Sequence, residues 1–467
     1  MSKINNIFAS ISKFKNKTAI IKQDGEKVSY QNMFLHGETF NKFFKKKNLI
    51  FLLADNYYEF IVFYVSAVRT NQAIIILNSE IKNSDLINLN EKYCPEYIFC
   101  RSDKKIDLNF IPIKKFQNFI LYKNNLNKKK YSIHEELCIL LSTSGTTGEN
   151  KYVKISNKNI FYNTTAICDS LKIRSNDTTI TTMPPFYSYA LSIINTHLFK
   201  GCTIILNKFS LIDKNFWDLY KKFQPNNFNG VPYIYEIIEK LGYKKLNFKN
   251  LKYLTQAGGT LKNEVKFKII ENCERNNSKF FVMYGQTEAS PRMCIMPWSL
   301  IKKNPSSVGF PIKGGKVWIK KGFKNNEKNI LEGELVYEGK NVFMGYSSSF
   351  KDLKKSPQKN ILETGDMGFI DKNKLIYVTG RKKRILKIFG IRISLDRLEN
   401  ELRKENFECI CTGNDKKIKV IFENRNKIDH DKFKKVFKNI TNLMPNYFEV
   451  IKVEKFNRNK SGKIIYS

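Results

Sequence analysis

The spacing of apolar runs predicts an α/β protein: a large N-terminal domain of layered, mostly parallel sheets with helices, over residues 1–380, and a small α+β domain over residues 381–467. Three observations carry that reading. Runs of strand length, Leu49–Leu53, Ala73–Leu77, Tyr97–Cys100, Thr203–Leu206 and Phe280–Met283, recur between helix-patterned stretches such as Glu59–Val68 and Phe216–Phe223. That alternation builds parallel sheets from βα units. The chain has 467 residues, 42% of them hydrophobic and 27% charged, enough for two to four domains at roughly 100–200 residues each. The pattern then changes near Gly380, where longer units give way to short ones.

Taken in order, the Lys/Asn-rich stretches Lys123–Lys130 and Lys324–Asn329 read as solvated loops. Leu375–Thr379 reads as a strand. The basic run Arg381–Arg384 follows, then the short units Ile385–Ile388, Gly390 and Ile391–Leu395. A helix over Leu395–Lys404, a strand over Lys417–Phe422, a helix over Asp431–Thr441 and a strand over Val450–Glu454 complete the small domain. At a domain joint, the basic run reads as a hinge with solvated side chains before it reads as a nucleic-acid patch.

The chain carries 81 Lys+Arg against 43 Asp+Glu, a net charge of +38. Such a surplus favours anionic partners. Because Lys, Asn and Ile are abundant everywhere, compositional bias accounts for most of it, with a polyanionic small ligand second; no nucleic-acid partner is expected. Nine scattered cysteines argue for reduced thiols. Cys409 and Cys411 read as neighbours in a strand and not as a metal clip. Four histidines, none at H-x-x-x-H spacing, make a zincin site improbable. No apolar run approaches the ~18 residues that span a bilayer, and lysines interrupt any signal-peptide core at the N-terminus. A cytoplasmic protein without a membrane span is expected.

The most informative stretch is Leu140–Lys154. An apolar strand, Cys138–Leu141, runs into six small or hydroxyl residues, Ser142, Thr143, Ser144, Gly145, Thr146 and Thr147, and then Gly148. Glycines let backbone N–H groups wrap an anion, and hydroxyls add donors without bulk. Lys151 adds a point charge. The spacing of Gly145, Gly148 and Lys151 does not match a Walker A loop, but this density after a strand reads as a phosphate cradle.

This stretch resembles the signature loop of the AMP-forming adenylating superfamily: acyl-CoA synthetases, adenylation domains of peptide synthetases, and luciferases. Asn150 stands where the family usually has Pro. Further matches follow in family order: Ala257-Gly258-Gly259; Tyr284-Gly285-Gln286-Thr287-Glu288; Ser307–Pro311; Gly333-Glu334-Leu335; Gly345-Tyr346; Thr364-Gly365-Asp366; Gly380-Arg381; Lys387–Ile393; and Asn459–Ile464. The early stretch 24–33 is similar to the family's first strand pair.

The resemblance implies ATP and Mg²⁺. Tyr284 offers a flat face for adenine, and Thr287 a hydroxyl for the α-phosphate. Glu288 is the implied Mg²⁺ ligand, because that hard ion takes carboxylate and phosphate oxygens. Asp366, read as lying in a turn, and Arg381 are the implied ribose contacts. Lys463 is the implied catalytic lysine, neutralising charge as a carboxylate attacks the α-phosphate. Lys383 is the implied hinge of a mobile small domain. The loop with Lys387, Gly390 and Arg392 then enters for the thioester step.

Met183–Leu198 is similar to the family's acyl-pocket segment, with Tyr187 where many members have His and Ala190 where they have Gly. No Asp lies between Met183 and Leu198 to hold an ammonium, and an unpaired buried ammonium is costly. An α-amino acid is therefore disfavoured, and a modest pocket for a small carboxylic acid is expected. The reading is an ATP-dependent carboxylate–thiol ligase with coenzyme A as acceptor. One rival loads the phosphopantetheine of a separate acyl carrier protein. A rival of another class is a non-catalytic basic binding protein on the same fold; the retention of Thr287, Glu288, Asp366, Arg381 and Lys463 tells against it.

Overall fold

A computed structural model describes residues 6–106, 108–125, 131–142, 151–325, 330–357, 359–388, 391–424, 428–441, 443–458 and 464–466. Thr143, Ser144, Gly145, Thr146, Thr147, Gly148, Gly390 and Lys463 lie outside the described residues, as does the side chain of Arg392. The chain divides into two compact units: Met1–Pro305, Pro311–Lys316 and Glu338–Leu362; and Ser306–Phe310, Val317–Tyr337 and Glu363–Ser467. The second unit thus begins earlier in the chain than residue 381. Arg381 ends a strand laddered to Asp366 and its neighbours.

The apolar runs form the first unit's core. Ala73–Asn78, Leu49–Ala54 and Tyr97–Arg101 pair in parallel, and Leu137–Ser142 runs parallel to Ala73–Asn78. All of Leu49–Ala54 is buried, which is why it reads as a continuous apolar run and not as an alternation. Against this sheet lies the helix Tyr58–Arg69, buried at nearly every position. Its Phe63 stacks on Phe99 at 4.1 Å, and Phe40 of the helix Tyr30–Asn41 meets both rings edge-on at 5.0 and 5.5 Å, the geometry ring quadrupoles favour. Ser29 caps that helix by accepting from the Asn32 N–H at 3.1 Å.

A second sheet carries Thr178–Ile180, Asn227–Gly230, Tyr253–Gln256 and Lys279–Gly285 in parallel. Antiparallel strands border both sheets. Phe110–Phe116 and Phe119–Asn124 form an edge hairpin, so the stretch read as a loop from Lys123 begins inside a strand. The expected strand pair near residue 24 is Thr18–Ile21 and Lys27–Ser29.

In the second unit, strands lie in the order Lys316–Asn325, Ile330–Glu338, Ile361–Ile370, Ile376–Arg381 and Ser307–Pro311. Thr364-Gly365-Asp366 sits within the strand Ile361–Ile370 and not in a turn. The rest is the hairpin Ile385–Ile388 and Ile391–Ser394, the helix Leu395–Lys404, a sheet of Cys409–Asn414, Lys417–Glu423 and Phe448–Val453, and the helix His430–Thr441. These last elements share their own apolar cluster, including Ile388, Leu402, Val420, Phe433 and Phe437. Cys409 and Cys411 are buried strand residues, and all nine cysteines are free. Among the described residues no helix is long and apolar enough to cross a membrane.

Candidate active site

In an open parallel sheet, loops leaving the carboxyl ends of the strands form the ligand crevice. Here Gly230, Gln256 and Val282 are aligned partners on adjacent parallel strands. The segments Ala257–Gly259 and Tyr284–Glu288 leave from that same edge. Gly258 holds φ at +86°, a conformation glycine adopts without strain. Gln256 Nε2 closes the turn by donating to the Gly259 carbonyl at 2.7 Å.

The second segment folds back on itself. Thr287–Ala289 is a short 3₁₀ turn, and Arg292–Ile295 returns antiparallel, with Gly285 opposite Arg292. A Cβ on Gly285 would overlap the Pro291 carbonyl oxygen, so the hairpin closes only around glycine. Asn163 and Asn341 hold its far side: their amides donate to the Arg292 carbonyl at 2.8 and 2.9 Å and to the Ala289 carbonyl at 3.3 and 2.6 Å.

Two side chains meet the implied catalytic pair. Thr287 Oγ1 lies 3.1 Å from Ser188 Oγ, at the start of the helix Ser188–Lys200. The Tyr346 hydroxyl donates to Glu288 Oε1 at 2.9 Å. Burial, and then Glu288, raise the Tyr346 pKa above the ordinary phenol value, so the hydroxyl stays a donor through neutral pH. The Phe343 N–H donates to the Glu288 carbonyl at 2.8 Å.

The same tyrosine reaches the ends of the Ser/Thr/Gly loop. Ser142 pairs with Tyr152 across the antiparallel strands that the loop joins. Tyr346 and Ser347 pair with Val153 and Tyr152. Val153 and Glu288, far apart in sequence, therefore both meet Tyr346. Lys151 is exposed at the loop's end. Among the described residues no group of three His, Cys, Asp or Glu could hold a metal; Glu288 offers one carboxylate. That donor set fits Mg²⁺, which binds through one or two carboxylates plus phosphate oxygens.

Within the second unit, Asp366 is buried and its Oδ1 pairs with Arg381 Nε at 2.7 Å. The Asp366 N–H donates to Thr364 Oγ1 at 3.0 Å, and Thr364 donates onward to the Leu335 carbonyl. The Arg381 N–H donates to Asp396 Oδ2 at 2.7 Å. Arg384 bridges Asp396 at 2.6 Å and Glu399 at 2.5 Å and lies 3.6 Å from the Tyr466 ring centroid. Exposed Lys383 sits within this anchored stretch, between Lys382, which pairs with Glu334 at 2.7 Å, and Arg384. Lys387, also exposed, donates its backbone N–H to Asp415 at 2.8 Å.

Tyr187 is the N-cap residue of the helix Ser188–Lys200, and Ala190 is buried one turn in. A narrow cavity beside this helix is lined by Tyr189, Ser192, Ile193, Thr196 and His197, the positions a 3.6-residue repeat puts on one face. Neither Tyr187 nor Ala190 lines it. The residues that sequence reasoning left out of the site are Ser188 and Tyr346. Gly345-Tyr346 belongs to the ordered series of matches, which was the available signal; nothing marked Ser188 apart from its neighbours.

Together, the strand-end crevice and the convergent hydroxyl, carboxylate and Gly-rich segments define an α/β nucleotide-binding class. The family model described as AMP-binding enzyme matches residues 7–347, and the chain belongs to that family. It is 29% identical to the oxalate–CoA ligase of Saccharomyces cerevisiae over 56% of this chain and 47% of that protein. Identity to a probable 4-coumarate–CoA ligase of Dictyostelium discoideum is also 29%, over 59% and 51%; the chain thus spans about half the length of these two curated relatives. It is 24% identical to a 2-succinylbenzoate–CoA ligase of Bacillus cereus over 77% and 73%. The fold is shared with o-succinylbenzoate CoA synthetase from Bacillus subtilis in complex with its acyl-adenylate, at TM-score 0.78 and 16% identity over 98% and 96% of the two chains.

Proposed function

We propose that this chain is an AMP-forming carboxylate–thiol ligase that activates a small carboxylic acid with MgATP and passes the acyl group to coenzyme A. The observation that carries the proposal is that Tyr346 bonds Glu288, the neighbour of Thr287, and pairs with Val153 just past the Ser/Thr/Gly stretch, beside the strand-end crevice.

In the first step a carboxylate oxygen attacks the α-phosphorus of ATP. The acyl O–P bond forms, the bond to the β-phosphate oxygen breaks, and pyrophosphate leaves with the electron pair. Two anions must meet, so the site has to supply positive charge and donors. In this reading Thr143–Gly148 cradle the phosphates through backbone N–H groups, with Lys151 adding charge. Thr287, positioned by Ser188, donates to the α-phosphate, and Lys463 neutralises the carboxylate and the α-phosphate. Glu288, oriented by Tyr346, holds Mg²⁺, whose charge offsets that developing on the phosphates. Tyr284 and Ala257–Gly259 face the adenine; Asp366 and Arg381 serve the ribose.

In the second step a thiolate attacks the acyl carbon, the thioester forms, and AMP leaves. In this reading the small domain beyond Lys383 turns about that residue, so that Lys463 withdraws and Lys387–Arg392 enters. The curated relatives cited above are CoA ligases, which supports CoA over a carrier protein as acceptor. Nine free cysteines fit a reducing compartment, and we place the protein in the cytoplasm.

The test is to trap the acyl-adenylate with hydroxylamine over a library of small aryl, hydroxy and short-chain acids. Thioester formation is then followed with CoA and with purified carrier proteins. Acid-dependent hydroxamate and acyl-CoA support the reading. An absence of hydroxamate with every acid refutes it, and thioester on carriers alone refutes the choice of acceptor.

A further inference from the structure

One residue from the Ser188–Thr287 contact, Tyr189 lines the narrow cavity beside the helix Ser188–Lys200, with Ser192, His197, Thr255, Met283 and Arg292. The cavity measures about 10 Å³, room for one water-sized group. All its residues belong to the first unit. Arg292 lies opposite Gly285 in the hairpin that carries Thr287 and Glu288, so the cavity adjoins the site described above.

Arg292 is 2% exposed. Its Nη2 donates to Ser192 Oγ at 3.2 Å, and its guanidinium stands 4.7 Å from the Tyr189 ring centroid. Its buried Nε has no hydrogen-bond partner. Among the described residues no carboxylate pairs with it. Burial lowers its pKa to about 10, which still leaves it charged at neutral pH. His197 does not share that charge. Burial pushes its pKa below the ordinary value, and Nδ1 faces the Ile193 carbonyl at 2.8 Å, so the ring is neutral. A buried guanidinium with an orphaned N–H and no counter-ion is strongly unfavourable. An anion would compensate it, and charge-assisted bonds from a planar guanidinium match a carboxylate in geometry.

We propose that Arg292 receives a second anionic group of the acid substrate, a carboxylate remote from the one that is adenylated, so that the substrate class is a short dicarboxylic acid. This rests on the ligase reading above. The cavity has room for a single oxygen of such a group, and the ring of Tyr189 and the hydroxyl of Ser192 hold the guanidinium in place for it.

The experiment compares malonate, succinate, glutarate and phthalate with their monoamides, on the wild type and on Arg292→Met. The readouts are acid-dependent pyrophosphate exchange and the thermal shift produced by each acid alone. On the wild type a diacid should exceed its monoamide by about 10²-fold in kcat/KM, as for a buried charge pair deprived of one partner. Arg292→Met should erase that preference while keeping exchange with the monoamide. It should also unfold at a higher temperature than the wild type, because a buried unpaired charge is gone. Equal use of diacid and monoamide by the wild type overturns the proposal and leaves the ligase reading standing. So does a variant of lowered melting temperature that loses every acid alike, which marks Arg292 as structural. If no acid supports exchange, the ligase reading falls and the thermal shift decides alone: a shift by diacids only, lost in Arg292→Met, supports the anion site, and no shift by any diacid overturns it.

Discussion

Replacing Tyr346 with Phe removes one hydroxyl and little else. The Phe343 ring, 4.9 Å away and roughly edge-on, still packs against the substituted ring, and the strand pairing to Val153 is made by backbone. What disappears is the 2.9 Å bond to Glu288 Oε1. A hydrogen bond to a charged group contributes roughly 1.5–3 kcal/mol when shielded. Tyr346 is 47% exposed, so water replaces part of it, and about 1 kcal/mol is the working figure. That corresponds to roughly a fivefold fall in kcat/KM for MgATP at 25 °C. The fall should appear as a raised Mg²⁺ requirement, because the lost bond orients the proposed metal ligand, while the melting temperature stays within about 2 °C. The assay is pyrophosphate exchange titrated with Mg²⁺ at fixed ATP. An unchanged Mg²⁺ titration with normal folding refutes the idea that Tyr346 positions Glu288.

Three other substitutions test separate parts of the account. Gly285→Ala places a methyl on the Pro291 carbonyl and should cost about 3 kcal/mol or more, with exchange reduced at least tenfold; scanning fluorimetry showing no loss of stability contradicts the close approach. Lys266 is buried, and burial lowers its pKa from 10.5 to about 8. Below pH 8 it is charged in both folded and unfolded chains and the full penalty applies. From about pH 8 to 10.5 the folded chain releases the proton first and the penalty fades. Lys266→Met should therefore melt higher than the wild type at pH 7, by an amount reflecting roughly 3 kcal/mol, with the gap closing towards pH 10; a gap that widens with pH refutes this. Arg381→Ala removes one ion pair from the buried Asp366 carboxylate and should destabilise by about 1 kcal/mol, the half-exposed guanidinium being partly screened, part of which Asp366→Asn restores in the double variant; strict additivity of the two changes argues against their coupling.

Much of this architecture is legible in the sequence because buried parallel strands write themselves as unbroken apolar runs. Leu49–Leu53 and Ala73–Leu77 differ from the observed strands by a single residue at one end. The helix Leu395–Lys404 was bounded correctly at both ends: Ser394 caps it, and Leu395, Leu398 and Leu402 recur on one buried face. Strands at sheet borders were harder to read. Phe119–Asn124 carries exposed Lys123 and pairs on both sides with strands whose order no local pattern encodes. Asp366 was assigned to a turn because Thr-Gly-Asp has turn chemistry. Its antiparallel pairing with Arg381 places it in a ladder instead, and the turn-like geometry is confined to Gly365, at φ +68°. For the site, ordered motifs named the segments, but the contacts within them are tertiary. Ser188 meets Thr287 across 99 positions of sequence, and Tyr346 meets Glu288 across 58. Arg292 attracts no notice in a chain with 81 basic residues; only its burial without a counter-ion sets it apart.

The central claim is that the Thr287–Glu288 turn serves adenylation of an acid by MgATP. Exchange of radiolabelled pyrophosphate into ATP, with and without acid, on the wild type beside Glu288→Gln, tests it most directly. The account predicts acid-dependent exchange by the wild type and a loss of about 10²-fold or more in the variant, with the fold retained. Exchange that ignores the acid, or that survives Glu288→Gln undiminished, contradicts it.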